Sequence, residues 1–171
     1  MSHAPVKPPV ASLRWSDRFL LGHPAMDHTH AEFVACLQAL QQASDADLGP
    51  ALQDMAAHLA GHFLQEEQWM ADSAFPAAQC HADEHTAVLA SVHEVQQLLA
   101  AHGQATVVRQ LAQALADWFP AHADYLDAAL SQWLSKRQHG GAPVVLRRQV
   151  DSPLPPDPTA DAPLGRTFAQ G

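Results

Sequence analysis

Twelve histidines stand in a chain of 171 residues that has a single tyrosine. Two pairs, His58/His62 and His81/His85, are four residues apart, and Glu66 follows His62 by the same step. Side chains four apart are neighbours on one face of a helix, so each pair can aim two metal-ligating atoms at one place. Pair counting alone decides little, because about one H-x-x-x-H pair is expected by chance at this histidine content. What decides is where these residues fall relative to the apolar ones.

The apolar period is helical throughout the central part of the chain. Steps of three and four link His30, Phe33, Val34, Leu37 and Leu40 in a first segment, and Leu52, Met55, Leu59, His62, Glu66 and Trp69 in a second. A third runs through Ala78, His81, His85, Val88, Val92, Val95 and Leu99, and a fourth through Val108, Leu111, Leu115, Trp118, His122, Tyr125 and Ala129. Helix punctuation separates them: Gly49-Pro50 opens the second, Ser73 to Pro76 divides second from third, Gly103 ends the third and Gly140-Gly141 stops the fourth. Connections this short make neighbouring helices antiparallel, so the fold class is all-α, an up-down-up-down four-helix bundle. The seam of such a bundle is ordinarily Leu and Val. Here all four helices bring imidazole to it, and the second adds a carboxylate.

A polar group buried without a partner costs several kcal/mol. For any single histidine the plain alternative is a hydrogen-bonded core residue or a solvated face. For His30, His62, Glu66, His81, His85 and His122 together that alternative fails, because a metal satisfies converging imidazoles and carboxylates more simply than they satisfy one another. Imidazole with carboxylate suits Fe, Zn, Cu or Mn. Cys36 and Cys80, the only cysteines, form no thiolate cluster, which removes structural zinc and iron–sulfur readings.

The order of these residues resembles the hemerythrins, bacterial ones in particular. It runs His30, then His62-Phe63-Leu64-Gln65-Glu66, then His81-Ala82-Asp83-Glu84-His85, then His122-Ala123-Asp124-Tyr125-Leu126-Asp127. The stretch Trp15 to Gly22 ahead of Met26-Asp27-His28-Thr29-His30 is similar to that family's N-terminal arm and first ligand, and Glu67, Met70 and Trp118 also fit its pattern. The likeness covers Arg14 to Trp133.

Carried over residue by residue, the resemblance implies two non-haem iron ions. His81, His85 and His122 would ligate one, His30 and His62 the other, and Glu66 and Asp127 would bridge both beside a solvent-derived oxo or hydroxo group. Asp127 lies five residues beyond His122, ~140° round an ideal α-helix, so a π-type turn near Pro120 is needed to align the two. Dioxygen is the implied ligand, in a pocket walled by Phe63, Met70, Trp118 and Phe119. Ala123 departs from the family there, which usually has a larger aliphatic after the fourth-helix histidine. Taking up neutral O2 leaves the summed charge of ions and ligands unchanged, and no Glu-x-x-His pair of the oxygen-activating bundles occurs. Reversible binding for storage, delivery or sensing, without catalysis, is therefore the expectation. The alternatives are a peroxide- or nitric oxide-consuming enzyme and a redox-signalling module. His58 is either an outer partner of the ligands or a gate, or else a polar residue at the bundle end. His28, His93, His102 and His139 read as surface residues, and Cys80 as an inert thiol.

Composition sets the remaining bounds. A formal net charge of -9 argues against nucleic-acid binding. No apolar run approaches the ~18 residues of a membrane span, and prolines interrupt Met1 to Leu13 where a signal peptide would be continuous, which points to the cytoplasm. Three parts are expected: a flexible N-terminus over 1–13, the bundle over 14–138 and a Pro-rich tail over 139–171. Its composition reads as a disordered or extended tail, in which Val144-Val145-Leu146 could form an edge strand or a docking segment for a protein partner.

Overall fold

A computed structural model describes residues 13–140. It is all helical: α1 (Pro24–Gln42), α2 (Leu48–Ser73), α3 (Ala78–His102), α4 (Ala105–His122), a π-helical turn (Ala123–Asp127) and α5 (Ala128–Gln138), preceded by a short 3-10 turn (Asp17–Phe19). Each helix packs on its neighbour in the chain, and α4 closes the ring against α1. With α4, the π turn and α5 as one interrupted rod, this is the antiparallel four-helix bundle read from the sequence. The expectations for the N-terminus before Leu13 and for the tail after Gly140 lie outside the described residues.

Local chemistry sets the ends. Pro24 opens α1, where its missing N–H is no loss, and the His23 ring accepts from the Met26 N–H at 3.4 Å. The α2 end turns through Ala74 in the left-handed region (φ 51), and the Phe75 N–H closes on the Met70 carbonyl at 2.9 Å. Gly103 makes the same turn after α3 without the penalty a Cβ brings (φ 61).

The π turn displaces part of the expected seam. Its signature bond runs from the Ala128 N–H to the Ala123 carbonyl, five residues back. One extra residue in the turn rotates everything after His122, so Asp127 and Leu130 face inward. Tyr125 and Ala129, placed on the seam by regular helical spacing, are exposed, Tyr125 by 76%. Trp69 is corrected too. It is half-buried and lies against the His23 ring, while its neighbour Met70 takes the buried position.

The arm is fastened where it passes the bundle. The Asp27 carboxylate accepts from the Leu21 N–H (2.6 Å) and the Gly22 N–H (3.2 Å), and the Ser131 hydroxyl donates to the Leu21 carbonyl (3.0 Å). This seats Phe19 in the core against Phe119.

Candidate metal centre

Seven side chains meet in the seam, and none is more than 5% exposed: His30, His62, Glu66, His81, His85, His122 and Asp127. His30 comes from α1, His62 and Glu66 from α2, His81 and His85 from α3, His122 from the end of α4 and Asp127 from the end of the π turn. The His122 and Asp127 alignment that a regular helix forbids is achieved, with Nε2 and Oδ1 3.2 Å apart.

Their atoms form two overlapping groups. Glu66, His81, His85, His122 and Asp127 each offer a donor atom within 4.8 Å of all the others, and so do His30, His62, Glu66 and Asp127. Both carboxylates belong to both groups. Glu66 Oε1 lies 3.1 Å from His62 Nε2, and Glu66 Oε2 lies 3.4 Å from His81 Nε2 and 3.3 Å from His85 Nε2. Asp127 Oδ2 lies 3.0 Å from His30 Nε2, and Asp127 Oδ1 lies 3.1 Å from His81 Nε2.

Hydrogen bonds within the cluster do not account for this geometry. His81 Nε2 faces Glu66, Asp127 and, at 3.3 Å, the His122 Nε2, yet a ring nitrogen carries at most one proton. Glu66 Oε2, Asp127 Oδ1 and His85 Nε2 are buried with no hydrogen-bond partner among the described residues. Lone pairs from several residues aimed at a common point are what a cation requires, and imidazole with carboxylate is a donor set for iron and its neighbours.

The electrostatics agree. Burial and mutual repulsion push the Glu66 carboxyl upward, but His62, His81 and His85 win and hold it well below the usual carboxylate range. Burial likewise raises Asp127, and His122, His30 and His81 overcome it, leaving the carboxylate ionised. For His81 burial favours the neutral ring, yet Asp127 and Glu66 raise it to about 9. His30 moves up against the same burial penalty because of Asp127. His85 is lowered, chiefly by burial. Two adjacent buried anions thus draw in positive charge.

Outer contacts orient several of the rings. His30 Nδ1 lies 3.4 Å from the Phe19 carbonyl, His85 Nδ1 3.5 Å from Glu67 Oε1, and His122 Nδ1 3.1 Å from Glu84 Oε1, which also accepts from Trp118 Nε1 at 2.7 Å. These contacts hold Glu84 lowered although its own burial pushes the other way. Sequence reasoning gave Glu84 no role. Its place three residues after His81 was visible, but its partners on α4 were not. Phe63 stacks on the His85 ring at 3.9 Å, Trp118 lies 4.4 Å from His122, and Phe119 meets His30 edge-on at 5.2 Å. Ala123 is fully buried in the same core, whereas Met70 sits in a separate apolar cluster with Met26 and Leu130.

His58 is half-buried one turn before His62, and burial, then His62, lowers it. His28, His93, His102 and His139 are exposed, His28 beside Glu32, and so is Cys80.

The family model for the hemerythrin HHE cation binding domain matches residues 21–134. The chain belongs to the hemerythrin family. Over 125 residues it is 39% identical to the bacteriohemerythrin of Ralstonia nicotianae, an alignment spanning 73% of this chain and 90% of that relative. Hemerythrins bind non-haem iron, and the buried cluster of this hemerythrin-family chain fits a metal site. No helix among the described residues is long and apolar enough to cross a membrane.

Proposed function

We propose that this protein binds dioxygen reversibly at two non-haem iron ions, without turnover. His81, His85 and His122 would hold one ion and His30 and His62 the other, with Glu66 and Asp127 shared between them. The observation that carries this reading is the sharing of both carboxylates by two donor groups, one with three imidazoles and one with two. With one imidazole fewer, the group on α1 and α2 would leave its ion room for a diatomic ligand. Ferrous iron, when bound, supplies the electrons that hold dioxygen.

The chain's own residues supply the rest. Phe63 and Phe119, both 1% exposed and packed on ligand rings, keep bulk water from the seam, which favours return of the ligand over its protonation and loss. Trp118 and Ala123 close the α4 side, and Met70 closes the end toward α5.

The test is anaerobic loading with Fe(II), metal analysis, and visible spectra through cycles of oxygen and argon. Two irons per chain and a ligand-to-iron absorption that appears with oxygen and vanishes on its removal are expected. One metal per chain, or no such band after iron loading, overturns the reading. Sustained consumption of peroxide or nitric oxide well above the rate of oxidation in air would make the protein an enzyme instead.

A further inference from the structure

Among the buried ring nitrogens at the metal centre that have no hydrogen-bond partner, on His58, His62, His81 and His85, two belong to adjacent rings of α2. His58 and His62 stand one turn apart on α2 with ring centroids 5.9 Å apart. His62 turns Nε2 to the centre, 3.1 Å from Glu66 Oε1, while its Nδ1 is buried with no hydrogen-bond partner among the described residues. The Nε2 of His58 is in the same condition. On its other side the His58 ring lies against the Thr29 backbone, and Phe33 covers it.

These nitrogens have opposite needs. A ring that ligates through Nε2 carries its proton on Nδ1, so His62 must donate there. With its Nδ1 proton toward the Thr29 backbone, His58 keeps a lone pair on the buried Nε2 and accepts there. Donor and acceptor are both buried, and no direct hydrogen bond joins them. A buried donor and acceptor on neighbouring rings with no direct bond are the setting in which one water bridges, and two polar partners suffice to hold it.

We infer that a single buried water joins His62 Nδ1 to His58 Nε2, which makes His58 the positioning residue that fixes the tautomer and ring orientation of His62. The water accepts from the Nδ1–H of His62 and donates to Nε2 of His58. His30 and His122 have protein partners at their outer nitrogens, those of His81 and His85 have no hydrogen bond among the described residues, and His62 has this relay. The inference rests on the metal reading above, in that His62 is taken as a ligand.

The test uses the full chain loaded with iron and the variants His58→Phe and His58→Gln. Phenylalanine keeps the ring and removes the acceptor; glutamine restores an acceptor oxygen. Loss of iron to an external chelator should be about 10- to 100-fold faster in His58→Phe, the usual range for removing an outer partner of a ligating histidine. In His58→Gln it should return to within about threefold of wild type. A second readout is the Nδ1 proton of His62 in the Zn(II)-loaded protein, seen by NMR. It should exchange slowly with solvent in wild type and His58→Gln, and fast in His58→Phe. Equal iron loss in all three proteins, or glutamine behaving like phenylalanine, overturns the relay. Should the wild type hold no metal, the metal reading itself fails. A crystal structure then decides the water alone, with density between the two nitrogens supporting it and bare nitrogens overturning it.

Discussion

The two halves of this bundle are equally buried and built from opposite chemistry. Toward the α1–α2 and α3–α4 connections the interior is Leu37, Leu40, Leu48, Leu52, Met55, Val108 and Leu111, none above 7% exposed. Toward the arm and α5 five imidazoles and two carboxylates, none above 5%, fill the seam between Phe19, Phe63, Phe119, Met26, Met70 and Leu130. The first half holds itself together by removing apolar surface from water. The second has apolar flanks too, but its polar seam gains little that way, since buried ion pairs roughly break even against desolvation. Its order depends on what binds it.

Iron removal tests that division most severely. In the loaded protein both halves should resist amide hydrogen exchange. After chelation the amides around His62, His81 and His122 should exchange far faster, while those around Leu52 and Leu111 stay protected. Uniform loss of protection would show that the halves are not separable.

Within the polar half, the shared carboxylate should matter more than a single-group imidazole. Glu66→Ala removes a donor from both groups and should leave the chain nearly iron-free, whereas His85→Ala should retain more iron, as metal analysis after gel filtration will show. Equal retention would remove Glu66 from its bridging role. His93→Ala, on the surface, should retain the full content.

The apolar half should respond in the opposite way. Leu52→Ala should cost about 2–5 kcal/mol by urea unfolding, the range for emptying a buried leucine site, and by the same amount with or without iron. A cost that vanishes on iron loading would mean the halves are coupled.

A smaller effect separates the halves by pH. In the metal-free protein the His81 pKa is raised to about 9, so the stabilisation from its proton is complete below the ordinary 6.5 and is lost as pH rises through about 9. Urea midpoints of the metal-free protein should therefore fall across that interval, by at most roughly 3 kcal/mol. The loaded protein should show no such slope, because a ligating imidazole has exchanged that proton for metal. A flat profile without metal would mean His81 is neutral there.

The smallest expected change is at Ala123, where the two kinds of interior meet. Ala123→Ile adds apolar bulk beside His122 and should slow oxidation of the reduced protein in air by up to about tenfold, ~1.4 kcal/mol in the barrier. An unchanged rate with intact iron content would show that Phe119 already seals that side.

How much of this was legible follows from which contacts a helix makes with itself. Four helices, their punctuation, and the stacking of His62 on Glu66 and His81 on His85 are consequences of a 3.6-residue period, and the residues themselves carry that period. The π turn was legible through the family resemblance, which asks Asp127 to align with His122 and so requires a π-type turn near Pro120. Its consequences further along were not. Tyr125 and Ala129 look like seam residues to any rule with a constant period, and Tyr125 is among the most exposed large side chains described.

The chain's local pattern determined which donors exist and which lie on inward faces. The tertiary structure decided how they meet: that both carboxylates fall between two donor groups, that Glu84 on α3 joins Trp118 and His122 on α4, and that the Phe19 carbonyl reaches His30. Those contacts span 11 to 97 positions in the chain. No periodicity encodes them, because the packing of one helix against another sets their distance, and packing answers to the whole core at once.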